Sequence, residues 1–77
     1  MNKTRRQTLS KIIDALTEQA ELLSAAAEEE EDYMDNMPEN LQGSQRYEDA
    51  EENVADLESA SDYLNDAIES IQSAIDR

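Results

Sequence analysis

The side chains in this sequence that could do chemistry are carboxylates. Glu18 with Glu21, Glu28 with Glu31, Asp32 with Asp35 and Glu48 with Glu51 each stand three residues apart, which on a helix places both groups on one face, about 5–6 Å from each other. Such pairs can serve as general acid and base or can hold a divalent ion. The usual companions are missing. The chain has no cysteine and no histidine, so it offers no thiolate nucleophile, no imidazole base and no ordinary zinc site. A di-iron carboxylate bundle needs Glu-x-x-His on core-facing positions, and Asp32-Tyr33-Met34-Asp35-Asn36 lacks the alternating oxygen ligands, central glycine and closing glutamate of a calcium loop. No catalysis, metal or cofactor is expected.

The carboxylates matter collectively. Between Ala26 and Asp62 lie fourteen of the twenty acidic residues and one cation, Arg46, so this stretch carries a formal charge of −13 out of a total of −14. The rest of the chain is nearly balanced. Direct binding of nucleic acid to the acidic end is excluded by repulsion, whereas a basic nucleic-acid-binding protein would be attracted. Glu28 to Asp32 also fall where the first helix should end, and a helix C-terminus favours cations. Stability alone would place lysine or arginine there.

Rows of carboxylates at helical spacing resemble the phosphates of a nucleic-acid strand, and two adjacent helices supply two rows. Glu28, Glu31, Asp32 and Asp35 would form one; Glu48, Glu51, Glu52, Asp56 and Glu58 the other. The expected contact set is Glu28, Glu29, Glu31, Asp32, Tyr33, Asp35, Glu48, Asp49, Glu51, Glu52 and Asp56, with Met34, Met37 and Leu41 at the tip, because aromatic and apolar anchors dominate interfaces. The alternative is a solvated acidic surface that only keeps a small protein soluble.

The elements that must position these residues are helices. Leu9, Ile13, Leu16, Ala20, Leu23, Ala27, Met34 and Met37 follow gaps of four and three, with only Glu30 out of character; this is a heptad seam. Tyr47, Ala50, Val54, Leu57, Ser61, Leu64, Ile68, Ile71 and Ile75 repeat it in the second half. The spacing predicts a helix over about 4–35, a turn over 36–44 and a helix over about 45–76. Pro38 should stop the first helix near Asn36 and start a short helical turn. Ser44 is the expected N-cap of the second helix, and Gly43, the only glycine, is expected to close the turn with a positive φ.

Antiparallel pairing of the two seams matches Leu9 with Ile71, Ile13 with Ile68, Leu16 with Leu64, Ala20 with Ser61, Leu23 with Leu57, Ala27 with Val54, Glu30 with Ala50 and Met34 with Tyr47. Every pair of residue numbers sums to 80 or 81. The fold expected is all-α, an antiparallel two-helix coiled-coil hairpin forming a single domain over 1–77. The Leu/Ile layers near the termini should pack most tightly and the small-residue layers near the turn least. Ala60, Ala67 and Ala74 recur every seven residues, either as a site of close helix approach or as good helix formers.

Ile12, Leu22, Tyr33, Leu41 and Tyr63 lie off the seams, more than a hairpin can bury. A homodimer, arranged as a four-helix bundle through the Ile-rich ends, is therefore expected, in keeping with the marginal core of so short a chain. The basic segment Lys3-Thr4-Arg5-Arg6 should either fray or pair with acids near the end of the second helix. No apolar run is long enough to cross a bilayer, and polar residues follow the basic start where a signal peptide needs apolar ones, so a soluble cytoplasmic protein is expected.

The segment Asn36-Met37-Pro38-Glu39-Asn40-Leu41-Gln42-Gly43-Ser44, followed by Arg46-Tyr47-Glu48, resembles a turn of small acidic helical proteins of phages and prophages in Firmicutes. In size, acidity and helical character the chain is also similar to phage inhibitors of host defence, including anti-CRISPR proteins that imitate nucleic acid. The resemblance implies a non-enzymatic inhibitor, acting in a bacterial cytoplasm on a basic nucleic-acid-binding protein such as an RNA-guided nuclease. The competing reading is a structural or adaptor coiled coil that self-associates through its Ile/Leu face.

Overall fold

A computed structural model describes Met1–Arg77. Two helices, α1 (Lys3–Asp35) and α2 (Gln45–Asp76), are joined by a single 3₁₀ turn at Glu39–Leu41 and pack against each other along their length. The chain is a helical hairpin with no strand. It measures 59 × 14 × 13 Å, and its radius of gyration is 17.5 Å, against roughly 11–12 Å for a compact domain of this length. The hairpin is a rod two helices wide.

The heptad seam sets the contact. Every seam position from Leu9 to Met37 and from Tyr47 to Ile75 is buried or half-buried, because a 3.5-residue repeat keeps the same stripe turned toward the partner helix. Arg6 continues the α1 stripe by one turn; its guanidinium Nε donates to the carbonyl of Ile75 at 3.2 Å. That contact fits the antiparallel register and places a cation on the unsatisfied carbonyl end of α2, where the helix dipole favours it. The basic segment is thus helical from Lys3 onward, and Arg6 meets backbone rather than an acid.

Burial is deepest in the small-residue layers of the seam. The buried residues are Ala20, Ala27, Met37 and Ala50, all in the middle or at the turn end, while the Leu/Ile layers near the termini are only half-covered. Small side chains in a two-helix seam disappear beneath their neighbours, whereas long ones reach past the line of contact into solvent. Met37 packs at the base of the turn, 8% exposed, and so is not available as a contact at the tip.

The turn is closed by caps instead of by glycine. The α1 ladder ends with the Asn36 N–H on the Asp32 carbonyl at 3.0 Å. Pro38 leads into the 3₁₀ turn, whose Leu41 N–H donates to the Pro38 carbonyl at 2.8 Å. Ser44 then works twice: its hydroxyl donates to the Leu41 carbonyl and accepts from the Tyr47 N–H at 3.3 Å. Gly43 does not take a positive φ, and a Cβ there would meet nothing within 4 Å. Its expected role is therefore corrected: Pro38 and Ser44 fix the path, and no left-handed residue is needed. At the other end Asn2 caps α1, its side-chain oxygen accepting from the Arg5 N–H at 2.7 Å.

Candidate protein-binding face

Helical geometry sorts the side chains into two broad sides. A residue one place after a seam position is turned about 100° to one side of its helix, and a residue one place before it about 100° to the other. Because the helices run antiparallel, the "after" positions of both fall on the same side of the hairpin, and so do the "before" positions. The two sides differ in chemistry.

On the "after" side stand Glu28, Glu31 and Asp35 of α1 and Glu48, Glu51, Glu58 and Asp62 of α2, all exposed. Glu28, Glu31, Glu58 and Asp62 ring one shallow groove of about 310 Å³ whose floor is Ser24, Ala27 and Ser61. It opens into a longer trough past Glu21, Ala20 and Asn65. The floor is low because Ala20 and Ser61 face each other in the seam, and the Ser24 and Ser61 hydroxyls share a hydrogen bond at 3.2 Å. Two carboxylate rows thus flank a groove between the helices.

The expected contact residues do not form one array. Glu28, Glu31, Asp35, Glu48 and Glu51 share the grooved side. Glu29, Tyr33, Asp49 and Asp56 are on the opposite side, and Asp32 and Glu52 lie on the outer edges of α1 and α2. Glu58, expected in a row but outside the contact set, belongs to the groove together with Asp62 and Glu21. The signal for them is in the sequence: each follows a seam residue directly.

Glu30 is the exception to exposure. Half-buried in the seam, it accepts a hydrogen bond from Asn53 Nδ2 at 3.0 Å. No three carboxylates come close enough together to hold a metal ion, and the acids are spread along and around the turn half as a distributed field. That field is dense. From Gln45 to Asp62 α2 rises about 27 Å, and the fourteen acids lie along this length and around the turn beyond it; one net negative charge falls on roughly every 2–3 Å of axis. Duplex DNA carries one per about 1.7 Å and a single strand one per about 3.4 Å.

The charge opposes helix stability at both ends of α1. Its first turn holds cations and no acid, and its last turn no base, the reverse of what the dipole favours. No family model, no curated protein and no solved structure matches the chain.

Proposed function

We propose that this chain is an acidic, non-enzymatic inhibitor that binds the basic nucleic-acid groove of a host protein, in the manner of phage anti-defence proteins that imitate nucleic acid. The observation that carries this reading is the acidity of the turn half of the hairpin, where seven carboxylates, Glu28, Glu31, Asp35, Glu48, Glu51, Glu58 and Asp62, stand in two rows on the grooved side within a pole whose whole circumference carries one net negative charge per roughly 2–3 Å of axis. A basic groove accepting this surface gains the counterion release it would gain from nucleic acid. The expected target is a nucleic-acid-processing enzyme such as an RNA-guided nuclease, met in the cytoplasm of a bacterial cell, and the working form is a homodimer.

The test is capture of partners from a bacterial lysate, followed by elution with salt. A nucleic-acid-processing enzyme that leaves as salt rises, is displaced by DNA or RNA, and is not held by the Glu28→Gln, Glu31→Gln, Glu58→Gln, Asp62→Asn variant supports the reading. Capture unaffected by salt and by the variant refutes it.

A second reading has an observation of its own. Ile12, Leu22 and Tyr63 are exposed large apolar side chains, as a structural coiled coil that docks through an apolar face would have. Salt-resistant binding abolished by Leu22→Glu would favour it.

A further inference from the structure

The side opposite the acidic groove carries an apolar strip through its middle, bounded by Arg5 and Thr8 toward the termini and by Glu29 and Asp56 toward the turn. Ile12, Leu22 and Tyr63 all sit there and are 41%, 58% and 72% exposed. Ala15 and Gln19 separate Ile12 from Leu22 on α1, and Ala60 and Ala67 flank Tyr63 on α2. The pairing of the helices places Tyr63 at the level of residues 17–18 of α1, between Ile12 and Leu22, so the three make one strip. Leu22 and Ala26 also border a shallow furrow with Leu23 and Leu64 beneath it.

We propose that this face is the self-association surface and that two copies pair across it antiparallel, α1 against α1 and α2 against α2, into a four-helix bundle. The inference rests on the reading of the chain as a homodimer and assigns that dimer a face and a direction. It moves the contact away from the Ile-rich ends, since Ile68, Ile71 and Ile75 are occupied in the hairpin's own seam.

Self-complementarity argues for it. An antiparallel contact through a two-fold axis needs partner positions of constant sum. The α1 stripe pairs Arg5 with Glu29, Thr8 with Ala26, Ile12 with Leu22 and Ala15 with Gln19 of the other copy, each summing to 34. The axis then lies at the level of residue 17. The register within the hairpin carries that level to residues 63–64 of α2, so Tyr63 meets its own copy at the axis, flanked by Ala60 facing Ala67. The axis set by α1 thus falls at Tyr63 of α2, and the bulkiest exposed ring lies between alanines that leave it room.

Charge fixes the direction. Antiparallel pairing lays the terminal half of each copy, which holds five of the six cations, over the acidic half of the other, and brings Arg5 to Glu29. Parallel pairing would stack one pole of −13 on another. Area is sufficient: with the axis at residue 17 the copies overlap along about 48 Å of a side 14 Å wide, a footprint of the same order as the 800 Å² per partner that stable interfaces bury. The hairpin exposes 5710 Å², about 1,000 Å² more than a compact monomer of its mass. The acidic grooves of the dimer face outward on its two opposite sides.

The full chain tests this directly, because it contains no cysteine and each introduced thiol is unique. Sedimentation equilibrium should give twice 8.7 kDa. Mild oxidation of Ile12→Cys mixed with Leu22→Cys should give a covalent dimer that neither gives alone. Arg5→Glu and Glu29→Arg should each weaken pairing about tenfold, and the double variant should restore it. A monomeric mass at all concentrations refutes the dimer altogether. A dimer mass with no cross-link between the Ile12→Cys and Leu22→Cys copies, or with spin labels at position 40 of the two copies close together instead of about 60 Å apart, leaves a dimer but overturns this face and direction.

Discussion

Glu30, the one carboxylate in the seam of α1, accepts a hydrogen bond from Asn53 of α2 at 3.0 Å. A leucine there would continue the heptad. The carboxylate is retained in a half-buried site near the negative end of its helix, among Glu28, Glu29 and Glu31, and the asparagine opposite is its side-chain partner. Charge at the turn end is therefore held at the expense of packing. Glu30→Leu should raise stability by about 1 kcal/mol, since apolar burial and relief of like-charge repulsion outweigh one partly exposed hydrogen bond. Thermal denaturation followed by circular dichroism reads this as an increase in Tm of about 4–8 °C; a decrease would mean that Glu30 and Asn53 are a structural pair and nothing more.

The same crowding predicts the effect of salt. Twenty acids against six cations repel one another across a rod only 14 Å wide, and added sodium chloride shortens the range of that repulsion from ~30 Å at 0.01 M to ~3 Å at 1 M. Tm should rise steadily with salt. A fall would show that attractive ion pairs outweigh the repulsion.

Gly43→Ala separates turn closure by glycine from closure by caps. The backbone there has no positive φ and the Cβ has open space, so alanine should stabilise the hairpin by about 0.4–1 kcal/mol by restricting the unfolded chain. Ser44→Ala should cost about 1 kcal/mol, because it removes both the acceptor for the Tyr47 N–H and the donor to Leu41. Urea denaturation of the two variants checks the pair: opposite shifts in midpoint are expected, and a destabilising Gly43→Ala would restore the glycine's role.

At the other end, Arg6→Ala should release the last turn of α2 by removing the donor to Ile75. Amide hydrogen exchange is the suitable readout, since the loss is local. The final amides of α2 should exchange several-fold faster while those near Ala50 are unchanged.

Much of this was legible in the sequence. The two heptad seams and their constant sum placed the helices and their register, because a 3.5-residue repeat has few other ways to bury its apolar stripe. Ser44 was readable as a cap and Pro38 as a breaker. Gly43 misled because a lone glycine in a turn suggests a left-handed residue, yet a 3₁₀ turn needs none. The site was less legible for a different reason. Acids counted along the chain look like one pole, but Asp56 and Glu58, two residues apart, project from opposite broad sides of the rod. Only sorting residues by rotation about each helix reveals an acidic groove on one side and Ile12, Leu22 and Tyr63 on the other.

That separation makes the functional reading specific. Gln or Asn at Glu28, Glu31, Glu58 and Asp62 removes four negative charges around the groove without touching the seam, whereas Glu29 and Asp56 lie on the other side. Target binding should respond to the first set far more than to Glu29→Gln.

The most direct measurement is the salt dependence of target binding. The protein captured from a bacterial lysate should be purified and its affinity for this chain followed from about 50 to about 500 mM salt, with DNA or RNA as competitor. The account predicts that the logarithm of affinity falls linearly and steeply with the logarithm of salt, that nucleic acid competes, and that the four-residue groove variant flattens the slope. Affinity indifferent to salt, to nucleic acid and to that variant would contradict it.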